Sequence, residues 1–381
     1  MFKFDESTLE KYGAKTTYDE IIQQPELWRE TKSIYDENID AITAFLDSIV
    51  SDQELRVIFT GAGTSEYAGN LICDYLNSKR SYSFESIGTT DLVSNPHLYF
   101  RKEVPTLLVS FARSGNSPES LAALDLANSL VNNIYHLAIT CAREGKLAVN
   151  LSDKDNAYVL LMPDKSNDRG FAMTGSFTCM VLSALLIFDK AAKAEVNSIV
   201  ENIIDAAEDA ISKQDKLEEI VSFDFNRIVY LGSGPLYKLA NEARLKILEL
   251  TAGQVVTCNE SSMGFRHGPK SFIDENTFIV SFLSSDDYTR KYDLDILEEI
   301  YADGIAKKIL SLSSMDLDLK WDNLKLDISN NIPDVYLALP YVIIAQLIAL
   351  MTAIRIGNTP DNPSKTGTVN RVVKGVIIHE L

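Results

Sequence analysis

The chain has 381 residues, of which 46% are hydrophobic and 24% are charged, and it carries a net charge of −18. This length allows two domains of ordinary size, and this composition is typical of a soluble globular protein. The strong negative charge argues against nucleic acid or an anionic membrane surface as a partner. An anionic substrate would therefore have to be bound by donors that are arranged locally.

The cysteines and histidines show no spacing typical of a metal site. No two cysteines form a CxxC pair, and the histidines lie far apart, so we expect free thiols, no metal and no redox cofactor. The N-terminus, MFKFDESTLEK, is too polar for a signal peptide, which favours a cytoplasmic protein. The residues concerned are Cys73, Cys141, Cys179, Cys258, His97, His136, His267 and His379.

The first half of the chain predicts an α/β domain that follows a helical extension. Residues 1–50 end in an amphipathic pattern with an apolar stripe, which indicates a helix. In residues 51–197, five apolar strand patterns alternate with helical patterns, which favours a mostly parallel sheet covered by helices on both faces. The strand candidates are 55–60, 82–87, 105–111, 134–140 and 158–162.

The second half repeats the order of the first. After a charged helical connector, residues 198–220, the turn Gly232-Ser233-Gly234 follows Gly61-Ala62-Gly63 at an offset of 171 residues, and a Val-Ser-Phe triplet recurs at the same offset. A third match pairs Tyr158–Pro163 with Tyr336–Pro340, each before an apolar helix. We therefore predict two tandem three-layer αβα domains, the second at 221–381, that arose by internal duplication.

One segment of the second half, residues 335–354, is about long enough to span a membrane. Pro340 breaks the apolar run near its start, and Gln346 and Thr352 interrupt the rest. We expect a short buried strand followed by a core helix, and no membrane partner.

Hydroxyl groups follow two strands of the first domain at the point where each strand ends. Thr64 and Ser65 precede one predicted helix, and Ser114 and Ser117 precede the next, with Gly115 allowing close approach of the backbone. Ligands of open α/β sheets bind at this edge, where hydroxyls and helix N-termini favour a phosphate. Ordinary turns and caps are the alternative. The two GxG turns do not continue as GxGxxG, so a dinucleotide site is disfavoured.

A carboxylate and a histidine follow one another in the second domain. Helical spacing over residues 235–252 places Glu249 in the last turn, and a glycine-flanked loop presents His267. Both side chains suit acid–base chemistry, although a solvated glutamate and a loop histidine are equally compatible with the spacing. Near the C-terminus, Lys365 and Lys374 are candidates for a Schiff base with a sugar carbonyl, or surface lysines.

Over nearly its whole length the chain resembles the tandem sugar isomerase (SIS) domain family. The matching motifs are GAGTSEYAG, SFARSGNSPES, GSGPLYKLANEARLKILEL, GFRHGPKSFID and NRVVKGVII. Within that family, the segments QQPELW, ELTAGQVV and DNPSKTGTVNRVVKGV resemble the AgaS group of galactosamine-6-phosphate deaminase/isomerases, also described as tagatose-6-phosphate ketose/aldose isomerases.

This resemblance implies a role for each matching residue. Ser65, Ser114 and Ser117, with the backbone or side chain of Arg113, match the phosphate loop, and residues 168–174 match a sugar-facing loop. Glu249 matches the carboxylate that moves a proton between C1 and C2. His267 matches a ring-opening histidine that the partner subunit of a dimer contributes. Lys374 matches a Schiff-base lysine, with Lys365 as the alternative.

The resulting prediction is a cytoplasmic deaminating isomerase that converts galactosamine 6-phosphate to tagatose 6-phosphate and ammonia, as a homodimer or a higher homo-oligomer. Two alternatives remain open. One is an aldose–ketose isomerase of a hexose phosphate that acts without deamination, and the other is a noncatalytic sugar-phosphate sensor.

Overall fold

The structure, a computed structural model, describes residues 4–49, 55–79, 82–189, 193–328, 332–373 and 375–381. In these ranges, ten strands form two five-stranded parallel sheets. The first sheet contains β1 (Arg56–Thr60), β2 (Ser83–Ser86), β3 (Thr106–Ala112), β4 (Ile134–Thr140) and β5 (Ala157–Leu161). The second contains β6 (Arg227–Gly232), β7 (Val256–Ser261), β8 (Thr277–Phe282), β9 (Lys308–Ser313) and β10 (Asp322–Lys325).

Fourteen α-helices lie within the described ranges. Those before the second sheet are α1 (Glu6–Lys11), α2 (Lys15–Ile22), α3 (Gln24–Ser48), α4 (Thr64–Ser78), α5 (Thr89–Ser94), α6 (Pro96–Tyr99), α7 (Pro118–Leu130), α8 (Lys146–Leu151), α9 (Gly175–Phe188), α10 (Lys193–Ser212) and α11 (Gln214–Val221). Those that alternate with its strands are α12 (Pro235–Leu250), α13 (Asp287–Asp303) and α14 (Asp334–Arg355).

The two sheets have the same topology. The spatial order is β2-β1-β3-β4-β5 in the first sheet and β7-β6-β8-β9-β10 in the second, so each strand has a counterpart in the other sheet. The turns after the paired strands β1 and β6 agree in backbone conformation as well, with φ 57° and ψ −124° at Gly63 and φ 54° and ψ −127° at Gly234. Positive φ favours glycine at both places. The prediction of a duplicated αβα fold is confirmed.

The chain divides into two compact units. The second-sheet unit comprises Met1–Pro25, Arg169–Ala172 and Lys193–Thr366, and the first-sheet unit comprises Glu26–Asp168, Met173–Ala192 and Gly367–Leu381. The division assigns the first part of the predicted extension to the second-sheet unit, and the C-terminal tail to the first-sheet unit. Long-range hydrogen bonds tie the first part of the extension to the second-sheet unit: the carboxylate of Asp361 accepts bonds from the backbone N–H groups of Thr16 and Thr17 at 3.1 and 2.7 Å.

The expected strand near residue 335 is wrong. The whole segment belongs to α14, which is long and apolar enough to cross a membrane but is fully buried in its unit, with Pro340 inside it. The fifth strand of the second sheet is instead the short, polar β10. The third repeat match, which paired Tyr158–Pro163 with Tyr336–Pro340, is therefore wrong as well, because the first segment contains a strand and the second lies in a helix.

One smaller prediction is confirmed. The four cysteines are free thiols. His136 is a structural residue of β4, where its Nε2 lies 3.0 Å from the side-chain oxygen of Asn128 and burial lowers its pKa to about 4. The lowered pKa favours the neutral form of the ring near pH 7.

Candidate active site

The predicted phosphate site falls at two helix starts in the first-sheet unit. Helix α4 begins after Gly63, which supplies no capping side chain, and Thr64 and Ser65 lie buried in its first turn. Helix α7 begins after Ser117 as predicted, but this serine makes no capping bond either, since its Oγ lies 2.7 Å from Oγ of Ser120. Neither N-cap side chain occupies the first-turn amides, which carry the positive end of the helix dipole and suit a phosphate.

The side chain of Arg113 is committed to the C-terminal tail. It is buried, and its Nη2 donates to the backbone carbonyl of Arg371 at 2.7 Å. Arg371 in turn donates from Nε to the carbonyl of Asp168 at 2.8 Å and from Nη2 to the side chain of Asn167 at 3.1 Å. The two arginines therefore hold the tail against the predicted phosphate loop within this unit. This arrangement favours the backbone of Arg113 over its side chain as the part that contacts phosphate.

We expect Ser114→Ala to raise the KM for a sugar phosphate by roughly tenfold to a hundredfold, because a hydrogen bond to a charged group contributes about 1.5–3 kcal/mol. Ser114 is only partly buried, and its Oγ makes one long bond, 3.3 Å from the backbone N–H of Asn116. Steady-state kinetics on the variant give the measurement, with Ser129→Ala on the exposed face of α7 as the matched control. An unchanged KM in Ser114→Ala would remove this serine from the phosphate site.

Glu249 lies in the last turn of α12, as predicted, and belongs to a cluster of three charged side chains. Its Oε2 lies 2.6 Å from Nζ of Lys246, which is also 3.2 Å from Oε1 of Glu242. The side chains of Lys246 and Glu242 are 1% and 0% exposed, whereas 23% of the Glu249 side chain is accessible. The chain leaves the helix through Ala252 and Gly253, both with positive φ. The cluster thus holds the partly accessible carboxylate of Glu249 beside two buried charged side chains.

The lysine in this cluster is charged. Burial opposes its charged form, but the carboxylates of Glu242 and Glu249 outweigh burial and raise the pKa of Lys246 above its ordinary value. A cation with two carboxylate neighbours satisfies the buried charges that either partner alone would leave unpaired. The ion pair with Lys246 therefore holds the carboxylate of Glu249 in position.

His267 lies in a loop of the second-sheet unit that is anchored on both sides. Its side chain is exposed, while the neighbouring Phe265 is fully buried. Arg266 and Lys270 pair with Glu299 on α13, the former at 2.6 Å. No hydrogen bond or ion pair joins His267 to Glu249 in the described part of the chain. The loop therefore presents a free imidazole on a fixed backbone.

The other predicted groups are the two lysines and the sugar-facing loop. Lys374 lies outside the described residues, and Lys365 is an exposed residue of the second-sheet unit. Asp168 is fully buried and caps α9, because its carboxylate accepts bonds from the backbone N–H groups of Thr174 and Ser176 at 2.8 and 3.0 Å. Its carboxylate is thus engaged by the protein.

Three groups that are linked to predicted site residues by ion pairs or hydrogen bonds were not predicted from the sequence, namely Glu242 and Lys246 on α12 and Arg371 in the tail. A signal for the first two exists, since Glu242, Lys246 and Glu249 follow the i, i+4, i+7 spacing of one helix face. That face is otherwise the apolar stripe of the helix, so two charges there indicate a buried ion pair. No local signal marks Arg371.

Comparison with known proteins places the chain in a family. The profile of the SIS domain matches residues 49–188. The chain is 44% identical to D-galactosamine-6-phosphate deaminase AgaS of Shewanella sp. (strain ANA-3) over 376 residues, which are 97% of this chain and 93% of that protein. D-galactosamine-6-phosphate deaminase AgaS of Escherichia coli is also 44% identical, over 95% of each chain. The crystal structure of tagatose-6-phosphate ketose/aldose isomerase from Escherichia coli matches with a TM-score of 0.87 and 41% identity over 96% of both chains. The chain therefore belongs to the AgaS family of SIS-domain proteins.

Proposed function

We propose that the protein is a cytoplasmic enzyme that deaminates and isomerises galactosamine 6-phosphate to tagatose 6-phosphate and ammonia. The observation that carries this proposal is the cluster of Glu242, Lys246 and Glu249, which holds one partly accessible carboxylate in place beside a buried cation. The identity of 44% to D-galactosamine-6-phosphate deaminases over nearly the full chain supports the choice of substrate.

The reaction begins with recognition and ring opening. The serines that follow β3 and the first-turn amides of α4 and α7 bind the phosphate group. His267 transfers a proton between the ring oxygen and the anomeric hydroxyl, which opens the hemiacetal to the free aldehyde at C1.

Proton transfer then moves the carbonyl character from C1 to C2. Glu249 removes the proton from C2 while O1 takes up a proton from solvent, which gives an enaminol. Glu249 then returns its proton to C1 while the amine releases a proton to solvent, so that C1 becomes a primary alcohol and the C2 amine becomes a ketimine. Water adds to C2 and ammonia departs, which leaves the ketone of tagatose 6-phosphate. Lys374 is a candidate for accelerating this last step by exchanging onto C2, with release of ammonia before hydrolysis.

An aldose–ketose isomerase is the second candidate, because the similar crystal structure from Escherichia coli is named tagatose-6-phosphate ketose/aldose isomerase. The same proton transfer by Glu249 would serve it, since an enediol replaces the enaminol when C2 carries a hydroxyl group. The two functions therefore differ in substrate and in ammonia release, and they share the carboxylate.

A panel of sugar phosphates separates these functions. Purified protein is incubated with galactosamine 6-phosphate, glucosamine 6-phosphate and tagatose 6-phosphate, and ammonia and the sugar products are measured for each. Release of ammonia and tagatose 6-phosphate in equal amounts from galactosamine 6-phosphate supports the proposal. Interconversion of tagatose 6-phosphate with an aldose phosphate, without ammonia from either amino sugar, would establish the plain isomerase instead.

We also propose a homodimer or higher homo-oligomer in which His267 completes the site of the neighbouring subunit. The exposure of the His267 side chain supports this arrangement. Light scattering gives the oligomeric state. Mixing two inactive variants, Glu249→Gln and His267→Asn, should recover activity only if one site draws these residues from different subunits.

A further inference from the structure

The second-sheet unit contains a buried carboxylate for which the proposed reaction has no direct use. Asp293, on α13, is fully buried, and its Oδ1 accepts bonds from the hydroxyl groups of Ser233 at 2.6 Å and Ser262 at 2.5 Å. Its Oδ2 accepts a bond from the backbone N–H of Ser284 at 3.0 Å. These three donors follow β6, β7 and β8, so a single carboxylate joins the ends of three adjacent strands.

The same place in the first sheet has no such carboxylate. There the loops after β1 and β3, the counterparts of β6 and β8, provide the hydroxyls of the predicted phosphate site, and no described carboxylate accepts a bond from Ser65, Ser114 or Ser117. Asp293 lies seven residues after the N-cap of α13, and the residue seven positions after the N-cap of α7 is the buried Leu124. The two copies therefore differ in whether an internal anion bridges these strand ends.

Other differences between the copies agree with this contrast. The pair Thr64-Ser65 at the start of α4 corresponds to Pro235-Leu236 at the start of α12, at the offset of 171 residues. The loop after β8 is also filled by a second carboxylate, Asp334, which accepts a bond from the backbone N–H of Ser285 at 2.8 Å. At these positions the second copy lacks the Thr-Ser hydroxyl groups of the first and contains two carboxylates, those of Asp293 and Asp334.

Asp293 is also connected to the loop of His267. Ser262, which donates to Asp293, is the first residue after β7, and its backbone N–H donates to the carbonyl of Gly232 at 3.0 Å. Gly264 lies two residues after Ser262, and its carbonyl accepts a bond from the backbone N–H of His267 at 2.9 Å. A change at Asp293 would therefore act on the segment that fixes the histidine.

We propose that the carboxylate of Asp293 is a built-in anion at the second copy's counterpart of the phosphate site, and that it positions the loop that carries His267. Burial raises the pKa of Asp293, while the hydroxyls of Ser233 and Ser262 and the amide of Ser284 oppose this shift. These donors thus stabilise the charged form, as they would a bound anion. The catalytic part of the proposal rests on the proposed function.

Removal and replacement of the anion test this inference. Asp293→Ala leaves the three donors in place and opens a space for a small carboxylate. We expect this variant to have a lower Tm and a lower kcat for ammonia release. Its KM should be nearly unchanged, because the proposed phosphate loop belongs to the first copy. Sodium formate should restore part of both quantities, and sodium chloride at equal ionic strength should not. Asp293→Asn keeps the shape without the charge, and we expect it to be impaired and insensitive to formate.

The matched control is Asp286→Ala, which removes the carboxylate of the N-cap of the same helix, α13. The carboxylate of Asp286 caps α13 by accepting a bond from the backbone N–H of Thr289 at 2.8 Å, whereas the three donors of Asp293 bond to Asp293 itself. It should lose some stability and show no specific effect of formate. Equal effects of formate on both alanine variants, or an Asp293→Asn protein with wild-type Tm and kcat, would overturn the proposal.

Two other outcomes remain decisive. If Asp293→Ala does not fold, the Tm of Asp293→Asn decides whether the charge matters. If the wild-type protein releases no ammonia from any amino-sugar phosphate, the proposed function fails, and the effect of formate on the Tm of Asp293→Ala still tests the built-in anion.

Discussion

Glu249→Gln should bind the sugar phosphate with a Kd close to that of the wild-type protein and release almost no ammonia. Positioned general acid–base groups typically contribute a factor of roughly 10² to 10⁴, and Glu249 both removes the C2 proton and returns it to C1 in the proposed reaction. The amide has nearly the same shape as the carboxylate and can still lie beside Lys246, but it cannot accept a proton from carbon. The loss should therefore appear in kcat.

The measurement is single-turnover ammonia release together with binding of the sugar phosphate by calorimetry. Exchange of the C2 proton with deuterated solvent adds a direct readout of the base, and it should stop in the variant. Glu298→Gln, an exposed residue of α13 in the same unit, is the matched control and should behave like the wild-type protein. Ammonia release at the wild-type rate from Glu249→Gln would assign the proton transfer to another group.

Lys246→Met should destabilise the protein by about 3–5 kcal/mol, the usual result of removing one partner from a buried ion pair. Methionine replaces the length of the lysine stem but not its charge, so the buried Glu242 would lose its cation at 3.2 Å and Glu249 its cation at 2.6 Å. Ammonia release should fall as well, because the carboxylate of Glu249 loses the neighbour that fixes its position.

Urea denaturation gives the free energy of unfolding, and the double variant Lys246→Met/Glu242→Gln shows whether the loss arises from the unpaired carboxylate. We expect the second change to recover part of the stability but little of the activity. Lys291→Met, at an exposed position of α13, controls for the loss of a lysine in general. A loss below about 1 kcal/mol in Lys246→Met, the usual range of a surface pair, would contradict a buried triad.

Several features of the fold followed from local patterns. The alternation of apolar strands and helices predicted the first parallel sheet, and the offset of 171 residues between the two GxG turns predicted the second. These patterns succeed because strand and helix periodicities, and the positive φ of a glycine turn, depend on neighbouring residues. The placement of Glu249 near the end of α12 followed from the same periodicity.

Segment 335–354 marks a limit of that reasoning. It is apolar on all sides, so it has neither the period of a half-buried strand nor that of an amphipathic helix, and burial within the second-sheet unit selects the helix. The polar strand β10 went unnoticed for the opposite reason, since it is short and has only one buried residue, Leu324.

Local sequence patterns predicted the two sheets, the two hydroxyl-bearing helix starts and the helix that carries Glu249, because each depends on residues that are close along the chain. Three contacts became visible in the folded chain: Lys246 is buried between two carboxylates, Arg371 holds the tail to the loop of Arg113, and Asp293 joins three strand ends. Apart from the helix face that carries Lys246, these contacts join residues far apart in the chain. Buried charged groups are tolerated because folding brings their hydrogen-bond and ion-pair partners next to them. These partners cannot be predicted from a local sequence pattern.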